Sequence, residues 1–330
     1  MHHANVLRAI THRLQQQPAN GLSNLEFVRA YHSNHSEIFE CKRRGIPDGP
    51  PVLLKWKIGY GSAETAAGVA IREFAALENI WKRSGLALNG SIPRPISLLP
   101  ELGALVTEKL PGRDLRKILQ REGNLIVGPF RQKRLSQVAW LIGRFVRKFH
   151  DSTLGKPQAH DSHQFMAGMR VWLEQCSAGG MEASATEEIW KLSERLSHQM
   201  EGKLATTAAK HGDLIPMNIL VEGGHIAVLD FESFRDFDVV YEDLGMISAY
   251  LGLLKLSNLY SGRAIEGMII RLSEGYGNLE NKELLPLYTV RAALNIVAWQ
   301  LPQAKGPRMS ARELRLRQHW LLAIARRLLT

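Results

Sequence analysis

The chain has 330 residues, 45% of them hydrophobic and 22% charged, with a formal net charge of +10. That length can hold two lobes with a core each, and no apolar run reaches the roughly 18 residues of a membrane span. A basic balance permits nucleic-acid binding, yet there is no recognisable module for it and the aromatics do not interleave with the basic residues, so no nucleic-acid partner is expected. The charge is uneven: residues 303–330 carry +6, residues 1–111 carry +4, and residues 112–302 are balanced. The first residues, Met-His-His-Ala-Asn, lack the apolar region of a secretory signal. Cys41 and Cys176 fall in separate parts of the chain, which argues against a structural disulfide and for a reducing cytoplasm.

Taken in chain order, residues 1–25 contain no acidic residue, as a transit peptide would, but sparse Arg with abundant Gln and His favours an amphipathic first helix. Phe27 to Tyr31 and Glu37 to Arg43 read as strands around the polar turn Ser33-Asn34-His35-Ser36, and Val52 to Lys57 as a third strand. Ala66 to Arg83 has Ile71, Phe74, Leu77 and Ile80 at helical spacing. Leu105 to Leu110 reads as a further strand, closed by the turn signal Pro111-Gly112. The remainder is mainly helical. Leu135 to His150 carries Val138, Leu141, Ile142, Phe145, Val146 and Phe149 on one side. A segment around Val171–Leu173 and another from Ile189 to Met200 are parted by Ser177-Ala178-Gly179-Gly180. Met246 to Leu256, Ile265 to Tyr276 and Leu284 to Leu301 continue as helices, and Ala311 to Leu329 closes the series as a basic amphipathic one.

The densest chemistry lies between these helices, in His211-Gly212-Asp213-Leu214-Ile215-Pro216-Met217-Asn218, followed by Ala227-Val228-Leu229-Asp230-Phe231-Glu232. Ile219-Leu220-Val221 reads as a strand, Glu222-Gly223-Gly224-His225 as a hairpin turn and Ile226 to Leu229 as the returning strand, which is expected to bring Asp230 back beside Asn218. Three side chains able to handle a proton or a hard metal ion thus fall on one loop, strand and turn. That is an arrangement for moving a phosphoryl group from a magnesium nucleotide. Lone Asp and Asn residues usually only satisfy backbone donors in turns; three at this spacing fit that role poorly.

The stretch resembles the catalytic segment of the aminoglycoside phosphotransferase and choline kinase families, small-molecule relatives of protein kinases, whose loop runs H-G-D-x-x-x-x-N and then D-F-E. The resemblance implies an α+β, two-lobed protein-kinase-like fold, with a small β-rich nucleotide-binding lobe (residues 1–108) and a larger, mainly helical catalytic and acceptor-binding lobe (residues 109–330). It implies ATP, or GTP, with Mg2+ as cofactors. Asp213 would take the acceptor's proton, and Asn218 and Asp230 would hold the metal. Lys55 fits the position of the lysine that pairs with the nucleotide phosphates. Lys57 lies on the same strand face and the choice stays open, with Lys55 favoured because it directly follows the apolar run. Glu73 would hold that lysine, with Glu64 and Glu78 as competitors. Adenine would meet the backbone near Glu108 and Leu110, while Ser33, Asn34 and Ser36 stand where a phosphate-covering loop belongs, without its G-x-G-x-x-G. Asp243, in Phe237-Asp238-Val239-Val240-Tyr241-Glu242-Asp243-Leu244-Gly245, would accept hydrogen bonds from the catalytic-loop backbone. His211 and His150 read as structural, and Glu232 as a cap of the next turn. Gly212 replaces the arginine of the protein-kinase loop, so no activation-loop phosphate switch is expected.

The balanced charge of residues 112–302 shows no carboxylate surplus for a polycationic acceptor. A neutral or anionic hydroxyl compound such as a sugar or phosphosugar fits better, with amino alcohols and aminoglycosides less favoured. The basic final helix would either pack on its lobe or dock on anionic lipid. The competing reading is a catalytically inactive scaffold of the same fold, which the competent residue types at every key position disfavour.

Overall fold

A computed structural model describes residues 10–14, 22, 25–32, 35–43, 50–58, 63–257, 259–300 and 311–329. Among them the chain forms two compact units, residues 1–112 with 227–234, and residues 113–226 with 235–330. The expected boundary after residue 108 lies just before this division. Residues 227–234 are a departure from it, because they pack with the first unit although their neighbours in the chain belong to the second.

The first unit is built on a five-stranded antiparallel sheet of order β1-β2-β3-β5-β4, with β1 Leu25–His32, β2 Ser36–Arg43, β3 Val52–Lys57, β4 Pro95–Leu99 and β5 Ala104–Glu108. Alternation assigns the faces. Phe39 and Cys41 of β2, Val52 and Leu54 of β3, and Ala104 and Val106 of β5 form one buried cluster with Ile10, Leu14 and Leu22. Residues 10–14 are helical, so the amphipathic reading of this segment holds where the chain is described. Helix α1, Ala63–Ser84, packs on β3, β4 and β5, and the lysines of β3 reach it from the alternate positions. β4 was not expected from sequence, since Pro95 within it, Pro93 and Pro100 beside it and its short apolar run resemble a loop.

Glu40 on β2 is buried and accepts hydrogen bonds from Lys109 Nζ (2.8 Å), Arg29 Nε (2.7 Å) and the Tyr31 hydroxyl (2.8 Å). Burial alone would raise its pKa, but the three donors outweigh it and hold the carboxyl at about 2, from an ordinary 4.5. A carboxyl depressed by folding stabilises the fold above its unfolded pKa, and that contribution fades as pH falls from about 4.5 towards 2. Glu40→Gln is therefore expected to cost about 1–3 kcal/mol at neutral pH and progressively less in acid. Urea midpoints taken across that pH range measure it, and a pH-independent difference would refute the account.

The second unit is mainly helical. Its helices are α2 Leu115–Glu122, α3 Gly128–Asp151, α4 Ser162–Ala178, α5 Ala183–Gln199, α6 Tyr241–Leu256, α7 Gly262–Tyr276, α8 Leu285–Gln300 and α9 Ala311–Leu329. Asp114 caps α2 through the amides of Arg116 (2.7 Å) and Lys117 (3.3 Å), and Asp161 caps α4 through Gln164 (2.8 Å). Gly180, at φ 99°, parts α4 from α5, as the breaker Ser177–Gly180 predicts. Short strands β6 Arg113–Asp114, β7 Gln158–Ala159, β8 Leu204–Ala205, β9 Thr207–Lys210, β10 Ile219–Glu222, β11 His225–Val228 and β12 Arg235–Val239 frame the loops. β9 pairs with β12, β10 with β6, and β7 with β8. Gly223 and Gly224 make the turn from β10 to β11 at φ 52° and 86°, a conformation that suits glycine.

Two glycines set the closest helix crossing. A Cβ on Gly143 of α3 would lie 2.1 Å from the Leu272 carbonyl oxygen of α7, and one on Gly275 would lie 2.1 Å from the Trp140 carbonyl oxygen of α3. Both obstacles are backbone and cannot rotate away. Gly275→Ala should cost about 2–3 kcal/mol by forcing the helices apart, read from denaturant unfolding. Unchanged stability would mean that the crossing relaxes freely.

The last helix does not lie free as a lipid-docking arm. α9 packs on α5 and α8 and buries Trp320, Leu321, Ala325 and Leu329. Two of its arginines are engaged, Arg326 with Glu188 (2.6 Å) and Arg327 with Glu266 (3.1 Å). The apolar stripe is wide enough to join the core, and burying it outweighs exposure at an interface. Cys41 and Cys176 are buried free thiols, one in each unit, and burial raises their pKa to about 11 and about 12.

Candidate active site

In the first unit the chemistry converges on the far face of β3. Lys55 Nζ lies 2.7 Å from Glu73 Oε1 of α1 and 3.1 Å from Asp230 Oδ1. Burial pulls the Lys55 pKa down, but the carboxylates of Asp230 and Glu73 outweigh it and raise it above the ordinary lysine value. Lys57, two residues on, lies 2.5 Å from Glu73 Oε2 and pairs with Glu232 Oε1. The two lysines share one glutamate, and they differ in access. The Lys57 side chain is 0% exposed and that of Lys55 12%. Glu232, expected as a cap of the next turn, also meets the buried Lys57 cation.

Glu73 was one of three candidate partners for the lysine, and it is the one that meets it. Glu78 sits elsewhere on α1, beside Trp81 and Arg94 at a shallow surface groove. Asp230 adopts a left-handed backbone at φ 69°, unusual for a residue with a side chain. One oxygen each of Glu73, Asp230 and Glu232 lie within 4.8 Å of one another.

At the strand expected to be a hinge, the Glu108 amide donates to the Arg94 carbonyl (2.9 Å) and that of Lys109 to the Pro51 carbonyl (3.0 Å). Neither N–H is therefore available to a base, and Leu110 follows, buried. Ser36 opens β2 and is buried, while Ser33 and Asn34 lie outside the described residues.

In the second unit, Asp213 and Asn218 stand on the loop between β9 and β10. Asn218 Nδ2 donates to the Asp213 carboxylate Oδ2 (2.9 Å) and to the Asp213 backbone carbonyl (2.9 Å). A short 3-10 turn, Pro216–Asn218, makes that five-residue reach. Both Asn218 bonds use the amide nitrogen, which leaves its carbonyl oxygen without a hydrogen-bond partner among the described residues. His211 Nδ1 accepts from the Asp213 amide (3.2 Å), so this ring braces the loop.

Beneath the loop, Asp243 of α6 accepts from the His211 amide (2.9 Å) and the Gly212 amide (2.9 Å). His150 Nε2 lies 3.4 Å from Asp243, and His150 Nδ1 lies 3.1 Å from the Tyr276 hydroxyl. Burial works against the Asp243 charge, but His150, His211 and the Gly212 amide outweigh it and lower the pKa. A buried anion tied to two consecutive amides fixes the loop's path. The His150–Tyr276 extension of this network was not read from sequence. Its only signal was a histidine and a tyrosine, each closing an amphipathic helix.

Residues 61–276 match the model of the phosphotransferase enzyme family, well over half of the chain. The chain belongs to that family. A search of curated proteins found no match to this phosphotransferase. Solved structures share its fold at low identity. A choline/ethanolamine kinase family protein from Mesorhizobium loti is 18% identical, covering 92% of this chain and 87% of its own, with a TM-score of 0.57. A glucosamine kinase is 14% identical over 92% of each chain, with a TM-score of 0.56. The ADP-bound aminoglycoside phosphotransferase APH(2'')-Ib is 12% identical over 96% of this chain and 97% of its own, with a TM-score of 0.54. The phosphotransferase is a kinase with the mixed α/β fold expected of these enzymes, a small antiparallel sheet in one unit and helices in the other.

Proposed function

We propose that this kinase transfers the γ-phosphoryl group of ATP to a hydroxyl of a small neutral or anionic molecule, with Asp213 as the base. The observation that carries the reading is the held carboxylate: Asn218 fixes Asp213 at 2.9 Å, and Asp243 fixes the loop beneath it. A base needs a defined position before it needs an unusual pKa. Asp213 then orients the acceptor hydroxyl and takes its proton as the oxygen–phosphorus bond forms.

The donor set suits Mg2+, which takes hard oxygen ligands. Asn218 keeps its carbonyl oxygen unengaged, and Asp230 offers a carboxylate whose side chain is 36% exposed. When bound, the metal would offset charge on the transferring phosphates. Lys55 would hold the α- and β-phosphates, kept in place by Glu73. Glu108 and Leu110 would meet the adenine through backbone groups other than the engaged Glu108 amide, and Ser33 and Ser36 keep their proposed phosphate role by chain position alone.

The acceptor reading draws on the carboxylates near the loop. Lys210, next to His211, pairs with Asp238 at 2.7 Å, and Arg291 pairs with Glu242. Carboxylates already matched to cations favour a sugar or phosphosugar over a polycation. The test is nucleotide consumption with Mg2+, using ATP and GTP, against sugars, phosphosugars, amino alcohols and aminoglycosides. Turnover confined to cationic acceptors would refute the charge argument. Magnesium–ATP binding without turnover on this panel would place the acceptor outside it, whereas no magnesium–ATP binding at all would favour the inactive scaffold.

A further inference from the structure

At the start of α3 the second unit exposes large apolar side chains: Leu125 at 55%, Ile126 at 81%, Phe130 at 87% and Leu259 at 71%. They belong to one built surface. Leu125 donates its amide to the Leu259 carbonyl (3.2 Å), Ser261 donates to the Gly123 carbonyl (2.9 Å), and Asn124 bridges Tyr260. The Asn124 side chain accepts from the amides of Ile126 (3.0 Å) and Val127 (2.9 Å), which sets the turn that carries Ile126 and Phe130. A rigid turn holding isoleucine and phenylalanine in water is an expensive arrangement for a surface that meets only water.

The rim is basic. Arg121, Arg131, Lys133 and Arg263 are exposed and make no ion pair among the described residues. The nearby acids are matched already, Glu122 to Arg134 (2.6 Å) and Glu266 to Lys255 (3.1 Å) and Arg327 (3.1 Å). We infer that this face docks on an anionic lipid bilayer, with Ile126, Phe130, Leu125 and Leu259 entering the headgroup boundary and the four cations meeting lipid phosphates. Apolar insertion combined with a cluster of basic residues gives the two signals that stable peripheral binding requires. A second copy of the chain is disfavoured, because a two-fold contact would set the cations of one rim against those of the other. The surface differs from the terminal basic helix, which is consumed by packing. It also stands near the catalytic loop, since α2 leads into it and packs on Pro216–Asn218 at its other contacts.

The inference does not rest on the catalytic reading, and its test needs no turnover. The full chain is floated with vesicles of phosphatidylcholine alone and with vesicles also containing phosphatidylglycerol. The wild type should rise with the anionic vesicles only, and binding should weaken as salt increases. Phe130→Asp, and separately Arg131→Glu with Lys133→Glu, should each reduce binding about tenfold or more. All these residues are exposed, so circular dichroism should show an unchanged fold. Wild-type protein that stays unbound overturns the inference, as does undiminished binding by the Phe130→Asp protein. Sedimentation velocity showing self-association lost on Phe130→Asp, without vesicle binding, would assign the face to a second copy instead.

Discussion

Asp213→Ala is expected to lower kcat by about three orders of magnitude, with magnesium–nucleotide affinity nearly unchanged. The split follows from what Asp213 touches. Its carboxylate is held by Asn218 Nδ2, and its amide by the His211 ring, and neither contact engages the lysine–glutamate cluster on β3 and α1. Asp230→Ala should show the opposite pattern. Asp230 faces Lys55 at 3.1 Å in the first unit, so its loss should weaken magnesium–nucleotide binding itself. Steady-state kinetics with a nucleotide-binding isotherm on each variant separates the two roles. Near-wild-type turnover by Asp213→Ala would remove Asp213 as the base.

Lys57→Met is expected to cost about 3–5 kcal/mol of stability, because it removes a wholly buried cation from an ion-pair network with Glu73 and Glu232. Lys57 has a side-chain exposure of 0% and lies against both Glu73 and Glu232, whose side chains are 3% and 23% exposed. Methionine matches the length of the stem and removes only the charge. Adding Glu232→Gln should recover part of the loss, since it deletes the anion that Lys57 held while Glu73 keeps Lys55. A double-mutant cycle by urea denaturation measures the coupling. Additive losses would show that Lys57 and Glu232 do not act as a pair.

The segment 211–232 was legible because its chemistry is local: type, spacing and turn glycines occur within a short stretch of chain. The strands β2, β3 and β5 and most of the helices were legible through apolar period, and α9 matched its expected span, Ala311–Leu329. What the sequence hid was contact between distant residues. Nothing in Lys57 or Glu232 announces a partner across 175 positions, and both lysines of β3 obey the same two-residue period. They differ in burial, Lys57 at 0% and Lys55 at 12% side-chain exposure. The same holds for Gly143 and Gly275, which read as weak points in helices until the facing carbonyls are seen. β4, β9 and β12 were missed because short strands made of proline, alanine or charged residues have little apolar alternation to detect. Of the two readings of the last helix, packing on its lobe is the one that holds, with its apolar face in the core.

Glu73 carries a consequence for how such an enzyme is governed. Protein kinases can be silenced by swinging away the helix that bears this glutamate, which breaks one ion pair. Here that helix is gripped twice, by Lys55 and by the wholly buried Lys57. Turning it outward would take Glu73 from both lysines at once and leave the sealed Lys57 ammonium to Glu232 alone, a costlier step than breaking one ion pair. A swing of this helix is therefore a more expensive way to silence this enzyme than one that relies on a single lysine–glutamate pair.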